Sequence, residues 1–253
     1  MIFVIARFCR RACPSFGAVS LLLLSISTRA QIPADSHQLL VAINDSWEAT
    51  SGQLYGYQRG KGGWEQKFTT IPVSLGRTGL AWGIGLHPSQ AGTQKREGDG
   101  KAPAGIFRLG DAFGYASSIE TGLGYQPMTP WHYCIDVPTS PLYNLTVDAG
   151  KVGADAVNGS SEGMRRDIHY GDQQYSKGIF VKHNPENQPG AGSCIFMHLW
   201  EAAGSPTAGC TAMSEGDMDA LLRWLDAAQQ PIYIALPRAE YQRLRANWAL
   251  PSL

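Results

Sequence analysis

Cys210 follows Gly209 in the turn-rich run Ser205 to Ser214, S-P-T-A-G-C-T-A-M-S, and His198 closes an apolar run twelve positions earlier. Those residue types in that order have the parts of thiol chemistry. Gly209 has no Cβ, so the backbone can turn sharply there and a substrate can approach the sulfur closely. A neighbouring imidazole can take the thiol proton and leave the reactive thiolate. The same letters also fit a small buried cysteine near an unrelated histidine. The pair alone does not decide between the two.

Cysteine counting adds a constraint. The chain has five cysteines, and Cys9 and Cys13 fall in a segment built like an export signal. Arg7, Arg10 and Arg11 make a basic start, Phe16 to Ile26 is apolar, and Thr28-Arg29-Ala30 offers small residues for cleavage. The apolar stretch is short for a membrane span, so residues 1–30 are expected to be removed, with no anchor kept. Cys13 precedes the apolar run, which argues against a lipid-modified N-terminus. The mature protein then keeps Cys134, Cys194 and Cys210 in an oxidising compartment, the periplasm or cell envelope. An odd count leaves one thiol unpaired or bonded to another molecule. Cys210 is the expected free one, with Cys134 and Cys194 a candidate disulfide; three reduced cysteines is the alternative.

The elements that must position these residues read as mostly strands. Residues 31–253 suit one domain with a substantial core, and 29 glycines with 15 prolines punctuate short strands with turns. Formal net charge is +0 without long runs of one sign, so nucleic acid is not an expected partner. Strand patterns run over 38–44, 53–58, 64–68, 71–75, 131–137, 145–147, 178–183 and 193–199, with a last strand over 232–236 after Pro231. Residues 92–101 form a polar loop leading into Pro103-Ala104-Gly105-Ile106-Phe107. Ser214 reads as a helix N-cap with Asp217 at the capping-acid position, followed by Met218, Leu221, Leu222 and Leu225 on one face. The tail from Arg238 is expected to form a short helix packed on the body.

Two blocks, in this order, carry a resemblance. Arg96-Glu97-Gly98-Asp99-Gly100-Lys101-Ala102-Pro103-Ala104-Gly105-Ile106-Phe107 resembles the GDG-x-P-x-G-x-F block of L,D-transpeptidase catalytic domains. His198 followed by Thr207-Ala208-Gly209-Cys210 resembles that family's histidine and its S-x-G-C nucleophile turn. The resemblance implies a mainly β fold, a sandwich or barrel with a few short helices, and the cysteine in a cleft. It implies a cysteine acyltransferase acting on peptidoglycan stem tetrapeptides, with Cys210 forming a thioester and His198 as general base and acid. No cofactor or metal is implied. The chain departs from the family pattern at several points. Thr207 replaces a common Ser, Ala208 a second histidine, and Ala212 an arginine that usually helps hold substrate. Leu199 and Trp200 follow His198 in place of a glycine, and His198 lies closer to the cysteine than in many members. The chain reads as a divergent branch.

Candidate roles follow from both readings. Thr207 is a candidate to orient His198, through its hydroxyl or its carbonyl, with ordinary turn chemistry as the alternative. Gly209 and Cys210 supply backbone N–H groups for an oxyanion hole. Ala208 and Thr211 flank the nucleophile as candidate substrate contacts. Arg165 or Arg166, on a lid-like stretch over 159–171, is the candidate replacement for the missing arginine. Glu97 and Asp99 are weaker candidates for a substrate amine; Asp99 fits turn geometry better. Trp131, His132 and Asp136 are expected to border the cleft or pack. His183 reads as structural, and neither it nor His169 has partners at metal-ligand spacing. Hydrolysis of the same stems, or an idle wall-binding protein, are the competing functions. A papain-like hydrolase would place its cysteine before its histidine.

Overall fold

A computed structural model describes residues 1–2 and 32–253; the expected export signal, with Cys9 and Cys13, lies outside the described residues. Eight strands close into a ring: β1 (Gln38–Asn44), β2 (Ser51–Gly60), β3 (Ile71–Ser74), β4 (Ala102–Gly114), β5 (Lys177–Val181), β6 (Phe196–Leu199), β7 (Thr211–Met213) and β8 (Ile232–Pro237). Around the ring the order is β1-β8-β4-β5-β6-β7-β3-β2, and β2 pairs back to β1. Closure leaves the ring itself without an open edge, and the short strand Gly63–Gln66 pairs outside it along β2. Two pairs are parallel, β1 with β8 and β6 with β7; the rest of the ring is antiparallel. The apolar run QLLVAIN of β1 is buried at every position, as expected of a strand covered on both faces.

Two helices follow the sequence expectation. Helix α1 (Glu215–Trp224) starts at Ser214, whose hydroxyl accepts from the Asp217 N–H at 3.2 Å, and it buries Met218, Leu221 and Leu222. Helix α2 (Arg238–Trp248) buries Tyr241, Leu244 and Trp248. Trp248 stacks on His87, so the tail packs on the body.

A small cap stands beside the ring. It is a three-stranded antiparallel sheet of Glu162–Gly163, His132–Cys134 and Thr146–Asp148, extended by one-turn helices at Ala149–Val152 and Arg166–His169. The stretch 159–171 is therefore part of the cap and not a loose lid. Tyr170 ties it down, its hydroxyl donating to the Ser161 carbonyl at 2.5 Å. The Cys134–Cys194 disulfide staples this cap to the segment that enters β6, closing a loop 60 residues apart in sequence. That crosslink shortens the strand expected over 193–199. Cys194 takes φ +56°, and regular pairing begins only at Phe196. In the chain-entropy picture such a loop closure is worth about 4 kcal/mol.

Candidate active site

The parallel pairing of β6 and β7 places the two candidate side chains, Cys210 and His198. A parallel partner requires the chain to double back, so residues 200–210 loop over one end of the ring and deliver Cys210 to the entrance of β7. His198 on β6 then lies opposite Ala212, and Cys210 falls level with Phe196, whose N–H donates to Sγ at 3.3 Å. The thiol itself points to the Cys194 carbonyl at 3.5 Å. The disulfide partner thus forms the floor under the Cys210 thiol.

Thr207 closes the nucleophile turn and does not orient His198. Its hydroxyl donates to the Cys210 carbonyl at 2.7 Å and accepts from the Gly209 N–H at 3.1 Å. Its carbonyl accepts from the Arg77 N–H at 2.8 Å, and its own N–H donates to the Leu75 carbonyl at 2.9 Å. Gly209 is required here, since a Cβ would sit 2.9 Å from the Lys101 carbonyl oxygen. The Gly98-Asp99-Gly100 loop therefore packs behind the turn as its brace. Asp99 accepts from the N–H groups of Arg96 at 2.8 Å and Lys101 at 2.9 Å, and from Lys95 Nζ at 2.5 Å. Glu97 accepts from the hydroxyls of Tyr143 and Ser193. Both carboxylates are engaged in holding the loop, which fits turn geometry better than a hold on a substrate amine.

His198 is held by its own strand. Its Nδ1 lies 2.7 Å from the Leu199 carbonyl, which can only accept, so Nδ1 carries the proton and Nε2 keeps its lone pair. The Tyr175 ring stands edge-on against the imidazole, 5.1 Å between centroids. His198 is 3% exposed and Cys210 7%, and that burial sets their protonation. Burial pushes the imidazole down to about 4 and the thiol up to about 12. The resting pair is neutral thiol and neutral imidazole, with no hydrogen bond between them among the described residues.

One cleft of about 440 Å³ gathers Cys210, His198, Gly209, Ala208, Thr207 and Arg166. Arg166 pairs with Asp172 at 2.6 Å and lies over the Tyr175 ring. Arg165 and Thr211 do not join it. Arg165 pairs with Asp167 at 2.6 Å and covers the Tyr115 ring, because successive residues of a short helix point apart. Thr211 is one residue past the nucleophile, and its hydroxyl meets the Tyr233 hydroxyl at 2.6 Å in a buried contact. Asp136 borders the cleft and holds Ser161, whereas Trp131 is exposed and the His132 imidazole is capped by Thr129. His183 accepts from the Ile84 N–H and faces the Ala191 carbonyl, a structural role. No cluster of three or more metal-ligating side chains occurs among the described residues.

Three cleft residues, Glu162, Tyr175 and Arg77, carry no local signal in the sequence. Tyr175 reaches His198 from the turn before β5, Glu162 arrives on the cap, and Arg77 leans on the Gly100 backbone from the turn after β3. Arg77 makes no side-chain hydrogen bond or ion pair among the described residues, so its guanidinium is open to a ligand.

The YkuD family model, which describes the L,D-transpeptidase catalytic domain, matches residues 47–234. Among solved structures, Bd1075 of Bdellovibrio bacteriovorus is 12% identical with a TM-score of 0.40, covering 84% of this chain and 54% of that one. The helical cell shape determining protein Pgp2 of Campylobacter jejuni is 14% identical with a TM-score of 0.35, covering 79% and 48% respectively. The chain spans about half the length of these two proteins. Comparison with the curated proteins gives no match. The matched residues 47–234 include every cleft residue named above, and the chain belongs to the L,D-transpeptidase catalytic domain family.

Proposed function

We propose that this chain is a cysteine acyltransferase that takes peptidoglycan stem tetrapeptides as donors. The observation that carries the reading is the delivery of Cys210 and His198 to one cleft by adjacent parallel strands, within this catalytic domain. Sγ of Cys210 attacks the amide carbonyl between the L-centre of a diamino acid and the terminal D-residue. The thiol proton moves to Nε2 of His198, whose tautomer leaves that nitrogen free. Gly209 N–H already closes the turn on Thr207, so the backbone donor left for the oxyanion is the Cys210 N–H, which has no acceptor among the described residues. One such donor is worth on the order of 3 kcal/mol. Collapse breaks the C–N bond, His198 returns its proton to the departing amine, and a thioester remains. An acceptor amine then takes the acyl group, with His198 removing its proton; water in that place would give carboxypeptidase activity.

The resting protonation states bear on timing. With burial holding the thiol up at about 12 and the imidazole down at about 4, the neutral pair is the resting state of the free protein and the thiolate–imidazolium pair is disfavoured. Proton transfer is therefore coupled to attack in the bound complex. The Cys134–Cys194 disulfide supports an oxidising compartment, and we assign the mature protein to the cell envelope. Among the described residues no helix is long and apolar enough to cross a membrane.

Incubation of the purified protein with a disaccharide-tetrapeptide, with Cys210→Ala alongside, tests the reading. Cross-linked dimer from the wild type alone establishes transpeptidation, and tripeptide alone establishes hydrolysis. Neither product, from folded protein with a free Cys210 thiol, contradicts it.

A further inference from the structure

Of the cleft carboxylates drawn out of solvent, Glu162 is the one that the scaffold leaves largely unsatisfied; Glu201, also unpaired, is exposed. It sits on the cap strand opposite Cys134, whose disulfide partner Cys194 lies under the nucleophile. It lines the same cleft as Cys210 and His198 and is only partly buried. One of its oxygens accepts from the Tyr175 hydroxyl at 2.7 Å, and the Tyr175 ring is the one that faces His198. A carboxylate has about four lone-pair sites, so this single bond leaves most of them unused. No Lys, Arg or His nitrogen comes within 4.0 Å of it among the described residues. The nearby cations are engaged elsewhere, Arg166 with Asp172 and Lys95 with Asp99. Glu97 and Asp136, by contrast, are both tied up by hydroxyl donors.

We propose that Glu162 binds a primary ammonium group of the peptide substrate, and that this contact raises the reactivity of Cys210. The inference rests on the acyltransferase reading and names the group of the donor that the site reads. The charged and titratable groups facing Glu162 are Tyr175 and Arg166 from the ring side and cap, with Asp136 and Glu97 adding negative charge. Burial raises the Glu162 carboxyl to about 7, so half or more of it is ionised under neutral conditions. That negative charge is among the causes holding the Cys210 thiol high, second to burial itself. An ammonium docked on Glu162 cancels the opposing charge beside the nascent thiolate. The pull of Arg166, which favours the thiolate even while paired with Asp172, then acts without Glu162 against it. No bond is made or broken in this step. The thiol proton still passes to His198, and what changes is its ease of transfer. Ligand-free protein is correspondingly kept unreactive, which spares a nucleophile that lives in an oxidising compartment.

Two measurements test this, and they fail separately. Iodoacetamide alkylation of Cys210 at pH 9, where Glu162 is ionised, followed by intact mass, should run about tenfold faster in Glu162→Gln than in wild type, because a neutral amide removes the opposing charge. Glu162→Asp, which keeps the charge, should stay close to wild type. Equal or slower alkylation in a folded Glu162→Gln overturns the proposal, since a merely structural role predicts no acceleration. Second, calorimetric binding to Cys210→Ala compares a disaccharide-tetrapeptide bearing a free side-chain amine with the same compound N-acetylated at that amine. The free amine should bind at least about tenfold tighter, and the difference should vanish in Glu162→Gln/Cys210→Ala. Equal binding of the two compounds overturns this inference alone. Binding of neither overturns the peptidoglycan reading beneath it.

Discussion

In the free protein Cys210 should react as a buried thiol and not as half of a preformed ion pair. The perturbation is pH, and the magnitude follows from burial. Burial raises Cys210 from its ordinary 9.0 to about 12 and lowers His198 from 6.5 to about 4. At pH 7 the thiolate fraction is about 10⁻⁵, against about 10⁻² for an unperturbed thiol, a thousandfold deficit. Each thiolate of higher pKa is the stronger nucleophile. With a Brønsted slope of about 0.4–0.5, three pKa steps recover roughly 20- to 30-fold. The net expectation is alkylation about 40-fold slower than that of an exposed cysteine peptide. Second-order rates of iodoacetamide reaction from pH 6 to pH 10, read by intact mass, should climb throughout, about tenfold per pH step from pH 8 upward and more shallowly near pH 7, where Glu162 gains its charge. Cys210→Ala should take up no label, because Cys134 and Cys194 are bonded to each other. A plateau between pH 5 and pH 8 would refute the reasoning, since only a thiolate held by imidazolium levels off there.

Other expectations follow from the same contacts. Both His183 and His198 are held neutral at about 4 against 6.5. Stability they contribute is fully present above pH 6.5 and falls away toward pH 4, by roughly 3 kcal/mol for each. Urea unfolding midpoints at pH 7, 5.5 and 4 check this, and a flat profile would contradict it. Replacing both Cys134 and Cys194 by Ser should lower stability by up to about 4 kcal/mol and also slow turnover, because Cys194 is the floor of the nucleophile. Unchanged turnover in the folded variant would separate the disulfide from the site. Thr207→Val removes both turn hydrogen bonds at the nucleophile and should reduce kcat about tenfold, with Thr207→Ser restoring it. Failure of Ser to restore would show that the methyl group, and not the hydroxyl, matters.

What the sequence disclosed was local, and what it concealed was topological. The turn before Cys210, the strand that carries His198 and the Ser214 cap are each read from a few neighbouring letters, and the structure has all three elements. The cysteine count leaves the Cys134–Cys194 bond open against three reduced thiols, and the structure shows the bond, with Cys210 free. Glu162, Tyr175 and Arg77 meet only because the ring order departs from chain order and the cap folds over it. No spacing rule reports that. The two displaced candidates show a finer limit. Arg165 and Arg166 are adjacent, yet one faces Tyr115 and the other the cleft. Thr211 follows Cys210 directly, and the alternation of a strand turns it to Tyr233. Thr207 lay between two readings, and the hydrogen bonds decide for turn chemistry.

The most direct test of the central claim is intact-mass measurement of the protein within seconds of mixing with a disaccharide-tetrapeptide. The account predicts a single adduct on Cys210 equal to the stem less its terminal D-residue, lost on adding hydroxylamine and missing from Cys210→Ala. Stem turnover without any such adduct, or with full activity in Cys210→Ala, would contradict it.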